Sequence, residues 1–195
     1  MRRFVVHFRE LPIIAKDVKA GQNVSQVVTA YRCVNVGLFL SGDMRRDVEV
    51  IILTGATQDL KAIVFPGSRL RRVSPDERSI TFFLLKAKNE LEKLAMGEMR
   101  QLPNGITVNR ASLDEFLKQW EVTEVHTAKK GTLYTEETQS SDSGVYIFEG
   151  TEGDLLDGPL NIPIAPLFRP AHPEQFILEM NLLHDRAKEC VEKSS

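Results

Sequence analysis

Apolar residues along the chain fall into blocks whose spacing alternates between the strand and the helix period. Positions 3–8 (RFVVHF), 47–55 (DVEVIILTG), 60–65 (LKAIVF) and 144–148 (GVYIF) are short runs rich in β-branched and aromatic residues, as buried strands are. Gly55 and the Pro66-Gly67 pair end two of these runs, which either lie side by side or follow in sequence. Between the first two, 24–41 (VSQVVTAYRCVNVGLFLS) repeats apolar residues at helical spacing and predicts one long amphipathic helix. The clearest helix begins at Pro75 and runs through SITFFLLKAKNELEKLAM, with Lys86, Lys88, Glu90, Glu92 and Lys93 on its wet face. Shorter elements follow: a strand at 105–108, a helix over 112–120 with Ser112 as N-cap, a strand at 121–126, a strand edge at 161–166 and a helix over 172–193. Polar stretches at 135–144 and 150–161 predict loops.

Strands separated by helices predict an α/β fold with a mostly parallel sheet. A length of 195 residues, 42% of them apolar, is enough for one domain, 1–195, with a single core. The 25 basic and 27 acidic residues leave a net charge of −2, so contact with a polyanion must come from a local patch. Cys33 and Cys190 lie far apart and lack zinc-site spacing, so no metal is expected. The apolar run after the first arginines is too short for a signal peptide, and none later is long enough for a membrane span. A soluble, reduced, cytoplasmic protein is expected.

Two arginine clusters stand out. In GSRLRRVSPDERS (67–79), Ser74, Pro75 and Glu77 have the spacing of a capping box with proline at N1. That cap leaves Arg69, Arg71 and Arg72 unexplained. Cations before a helix start oppose its dipole unless an anion is shared, and a phosphate would be such an anion. In SGDMRRDV (41–48), Arg45 and Arg46 lie between Asp43 and Asp47, where ion pairing within the chain is the simpler account. Two clusters together favour phosphate binding, which suits arginine's planar fork.

RCVNVGLFLSGDMRRDVEVIIL (32–53) followed by FPGSRLRRVSPDERSI (65–80) resembles the archaeal tRNA pseudouridine-54 N1-methyltransferases, and the opening MRRFVV is similar to their start. The resemblance implies a SPOUT-class fold with a C-terminal trefoil knot, S-adenosyl-L-methionine as cofactor, tRNA as substrate and a homodimer. It implies Arg32, Arg45, Arg46, Arg72 and Arg78 as RNA contacts, and Asp43 or Asp76 as acceptor of the imide proton that must leave the base. It also implies Val125, Gly150, Ile164, Leu167 and Gln175 around the cofactor, Gln175 falling about where the family has a cysteine. Gly153 is an alternative to Gly150 for close backbone approach. Two further readings remain at this level: a catalytically inactive relative that keeps the RNA-binding face, and an unrelated α/β enzyme whose arginines form internal ion pairs.

Overall fold

The structure is a computed structural model that describes residues 1–132, 143–150, 155–156 and 162–192, with side chains as far as 187 in the last helix. Gly153 and most of the expected late loops lie outside the described residues.

An eight-stranded sheet runs through the molecule. Its strands are β1 (Arg2–Phe8), β4 (Val48–Ala56), β5 (Asp59–Pro66), β6 (Met99–Gln101), β7 (Thr107–Ala111), β8 (Val125–Ala128), β9 (Gly144–Glu149) and β10 (Ile164–Leu167), in the order β10-β8-β9-β1-β4-β5-β7-β6. From β10 to β4 every neighbouring pair is parallel. From β4 to β6 every pair is antiparallel. The two runs at 47–55 and 60–65 therefore form a hairpin, and the sheet is mixed with a parallel block.

Because side chains alternate along a strand, each strand feeds two cores. Phe4, Val50, Ile52 and Phe65 meet α2 (Ser25–Leu38), α3 (Glu77–Leu91) and the start of α5 (Pro173–Glu192) on one face. Val5, Ile51, Leu53 and Ile147 meet α4 (Leu113–Gln119) on the other. The result is an α/β/α sandwich. Ser112 caps α4 in a capping box with Glu115, as its sequence predicts.

Several boundaries differ from the sequence reading. The long first helix stops at Leu38, and a two-residue pair of strands, β2 (Phe39–Leu40) and β3 (Asp43–Met44), turns back through Gly42. A short helix α1 (Ala15–Ala20) and the edge strand β6 are too short to carry a period in sequence. The strand expected at 121–126 begins only at Val125, because the chain leaves α4 through Glu121 in the left-handed region (φ 52°). Helix α3 begins at Glu77, not beside Ser74: Asp76 is its N-cap and accepts from the Ser79 N–H at 2.8 Å. Pro75 favours an extended Ser74, and the Ser74 N–H donates to the Ser79 hydroxyl at 2.9 Å.

A buried polar cluster locks α5 to the amino end of the sheet. Arg2 has no exposed surface. Its Nη1 donates to Asn181 Oδ1 at 2.9 Å and its Nη2 to Asp47 Oδ2 at 3.2 Å. Burial pulls the Arg2 pKa down, and Asp47 opposes that pull. Arg45, its side chain only 11% exposed, makes a bidentate pair with Asp185 of α5 at 2.7 and 2.6 Å.

Close packing also fixes the turn after β5. A Cβ on Gly67 would stand 1.9 Å from the Arg45 carbonyl oxygen, and the Gly67 N–H donates to Val48 O at 2.9 Å. Arg46 Nη1 donates to Gly67 O at 3.2 Å. The backbone of 45–48 and the turn after β5 thus touch directly.

Two outcomes follow from these contacts. The Arg45 hydrogen bonds hold the Asp185 pKa below the ordinary carboxylate value. A depressed pKa contributes stability that is present above the unfolded-state pKa and lost as pH falls through the folded one. Asp185→Asn should cost on the order of 1–2 kcal/mol at neutral pH, discounted because Asp185 is partly exposed. That gap should shrink below about pH 4; urea titrations of both proteins across pH 3–7 measure it. Gly67→Ala should cost more than about 2 kcal/mol by the same method, since backbone on both sides of the added methyl must move.

Candidate nucleic-acid interface and cofactor crevice

The arginine loop is built by the turn after β5. Leu70 and Val73 are buried and fasten it to the core, which turns Arg69, Arg71 and Arg72 outward, and Arg78 is exposed beside them on the first turn of α3. None of these four makes a salt bridge or side-chain hydrogen bond to another described residue, so their charge is available to a ligand. Arg72 has φ 59°, a strained backbone for a non-glycine residue. Around them the loop is well fastened. Asn35 of α2 donates to the Pro75 carbonyl. Asn23 donates to Glu77 Oε1 at 2.9 Å. The Arg71 N–H donates to Asn104 O at 2.9 Å, and a Cβ on Gly105 would stand 2.3 Å from the Arg69 carbonyl oxygen. A glycine at 105, with φ 90°, is what lets the two turns press together.

The other expected contacts divide. Arg72 and Arg78 belong to the exposed set. Arg45 is committed to Asp185, and Arg46 to the backbone of the turn it helps to hold. Arg32 is exposed (58%) with Glu174 Oε1 of α5 at 3.6 Å. Asp43 is exposed at the β2–β3 turn, where its Oδ1 accepts the Met44 N–H at 2.7 Å. Asp76 is exposed as well, with one oxygen held by the cap of α3. Arg69 and Arg71, singled out in sequence with Arg72 as candidates for phosphate binding but not among the RNA contacts named from the resemblance, belong to the exposed set as well.

The carboxyl ends of β8, β9 and β10 lie side by side at one end of the parallel block, the place where open α/β sheets offer a ligand crevice. Leu167 closes β10 there, and its carbonyl accepts the Lys129 N–H at 2.9 Å. Gly150 follows β9 and donates to His7 O at 3.0 Å. Gln175 lies exposed in the first turn of α5, beside Phe176, which packs on Phe148 and Phe168. Val125 and Ile164 face each other at the amino ends of β8 and β10, about 10 Å from that crevice at the rise of a strand, and Val125 is buried in the α4-side core. The structure thus separates the five residues expected around a cofactor.

Arg169 was missed, having no motif around it. It lies over the Phe148 ring, 4.1 Å from the centroid. Its Nη1 donates to Ala128 O at 3.1 Å and its Nη2 to Glu149 O at 2.5 Å, the terminal carbonyls of β8 and β9. Burial lowers its pKa, with Glu149 opposing. His126, stacked on Tyr146 at 4.9 Å, has its pKa lowered by burial, and the buried His7 bonds Gly55 O. Among the described residues no cluster of three or more His, Cys, Asp or Glu is placed to hold a metal ion, and no helix is long and apolar enough to cross a membrane.

Comparison with known proteins finds one family model and several similar chains. Residues 1–148 match the family model described as "Putative SAM-dependent RNA methyltransferase". A Methanococcus aeolicus protein named tRNA (pseudouridine(54)-N(1))-methyltransferase is 31% identical over 174 residues, covering 80% of this chain and 83% of that protein. A Haloferax volcanii protein of the same name is 34% identical over 124 residues, 61% of this chain and 60% of that one. A Methanocaldococcus jannaschii protein of that name is 47% identical over 64 residues, 32% of this chain and 31% of its own length. The alignments with several of these relatives thus span less than two thirds of them, whereas the family match covers the arginine loop, strand β8 and β9 as far as Phe148. On that extent of match the chain belongs to the family of SAM-dependent RNA methyltransferases so described.

Proposed function

We propose that this chain methylates N1 of pseudouridine at position 54 of the tRNA T-arm, using S-adenosylmethionine and acting as a SPOUT-type homodimer with a C-terminal trefoil knot. The observation that carries the reading is the fastened loop with Arg69, Arg71, Arg72 and Arg78 exposed and free of internal partners, in a chain whose relatives bear that activity in their names. Strand order supports the knot: β8 lies between β9 and β10, so the chain must cross β8 to form the edge.

Strand direction supports the dimer. Pro66, at the end of β5, is in register with Glu49 near the start of β4, so the arginine loop emerges at the amino end of the parallel block. The crevice lies at the carboxyl end, about 20 Å away along strands the length of β1. One subunit does not bring its loop to its own crevice, whereas two subunits packed antiparallel about a two-fold axis can.

S-adenosylmethionine, when bound, supplies an electrophilic methyl group. The residues at the crevice suit it in kind: Leu167 as an apolar wall, Gly150 as a close backbone neighbour and Arg169 as countercharge for a carboxylate. The arginines grip phosphates on either side of an extruded base and fix its ring nitrogen for in-line attack. Transfer of that methyl to N1 would release the N1 proton, which a carboxylate or water would have to accept. Asp43 and Asp76 are the candidates for this step, and in each Oδ1 accepts one backbone N–H.

A second reading, an inactive relative that only binds RNA, is favoured by one observation. Arg169 already occupies the terminal carbonyls of β8 and β9. Calorimetric titration with S-adenosylmethionine decides between them: micromolar binding supports the enzyme, and none in folded protein leaves the RNA-binding module. In a methyl-transfer assay, tRNA carrying pseudouridine 54 should be labelled and the uridine-54 transcript should not. Arg71→Ala/Arg78→Ala should weaken tRNA binding by about tenfold or more, with the melting temperature unchanged.

A further inference from the structure

Beside the arginine loop runs a groove of about 770 Å³ that the proposed reaction does not use. One wall is a single stripe of α3 and its continuation, Phe83, Lys86, Glu90 and Lys93, three and four residues apart and hence on one side of the helix. The other wall is Arg100 and Gln101 of β6 with the turn at 102–104, and Arg72 stands at the mouth.

Charge along the groove is unbalanced. Glu90 is the one carboxylate lining it, and its two oxygens are shared by Lys93 Nζ at 2.5 Å and Arg100 Nη1 at 2.7 Å. A single negative charge cannot neutralise both. Arg72 has no acidic partner among the described residues, and Lys86 lies over the Phe82 ring at 4.5 Å rather than beside an acid. In a chain of net charge −2, four cations against one carboxylate is a local excess. Asn104, which lines the groove, is only 8% exposed, and its buried Nδ2 has no hydrogen-bond partner. Arg71 bonded to the Asn104 carbonyl, with Gly105 against Arg69, makes loop and groove one continuous surface.

We propose that this groove is a second RNA contact, which holds the sugar-phosphate backbone of the duplex adjoining the target loop, with Lys86, Lys93 and Arg100 on phosphates and Arg72 at the junction with the arginine loop. This rests on the RNA-binding part of the function proposed above. The groove's chemistry suits backbone rather than bases. Its cations are point charges and exposed forks around a floor of Phe83 and Leu102, and backbone contacts position a nucleic acid without reading its sequence. RNA duplexes are likewise held mainly by shape and backbone.

The test compares a short T-loop hairpin with full-length tRNA, for the wild-type protein and for Lys86→Glu/Arg100→Glu, with Lys86→Gln/Arg100→Gln as a milder variant. Both substituted residues are exposed, and melting curves establish that the variants fold. The wild type should bind tRNA more tightly than the hairpin. Either variant should lose about tenfold in tRNA affinity, lower the salt dependence by roughly two phosphate contacts and bind the hairpin as the wild type does. Equal tRNA affinity in wild type and variants, or an equal loss on the hairpin, overturns the groove proposal. A wild-type protein that binds neither RNA overturns the RNA-binding reading itself.

Discussion

The fold depends on a charge with no exposed surface. Arg2 sits at the start of β1, and everything that must converge on the amino end of the sheet is bound through it: Asn181 from α5 and Asp47 from the entry to β4. A buried guanidinium is costly unless its donors are satisfied, so the arrangement tolerates few alternatives. If α5 slid by one turn, Asn181 would leave Arg2 and Asp185 would leave Arg45 together. The cluster is therefore a registration device. It sets where the last helix lies over the first strand, and through Phe176 where that helix begins beside the crevice.

Seen this way, the arginines of the chain serve two distinct ends. Arg2 and Arg45 are turned inward, and Arg46 holds a turn. Arg69, Arg71 and Arg72 are turned outward on a loop whose backbone is fixed by Gly67, Gly105 and Asn35, with Arg78 beside them at the start of α3. A rigid mount matters for recognition of a polyanion: side chains on a fixed backbone lose less freedom when they close on phosphates. The inward arginines are part of what makes the mount rigid.

This division explains what was legible in the sequence. Runs such as VEVIIL and LKAIVF announce strands because both their faces are buried, and the periodicity of α2 and α3 follows from one buried face each. Ser112 was readable as a cap because its capping box with Glu115 is complete. The cap of α3 was not, because Ser74 and Asp76 both suit the role; Asp76 takes the Ser79 N–H, and Asn23 and Asn35, far away in sequence, bond the residues on either side of it. Arg45 and Arg72 look alike in sequence. Their different roles come from Asp185, 140 residues downstream, which no local pattern reveals. The crevice was the least legible part, because its polar contacts are largely backbone carbonyls and an arginine without a motif.

The hairpin of β4 and β5 carries a consequence beyond its role in the sheet. By reversing direction there, the chain delivers its basic loop to the end of the molecule opposite the strand ends of β8 to β10. In the proposed antiparallel two-fold pair each reaction centre borrows half its parts from a neighbour. Catalysis would then be a property of assembly: on dilution below the subunit dissociation constant, the rate per chain would fall with concentration although every chain stayed folded.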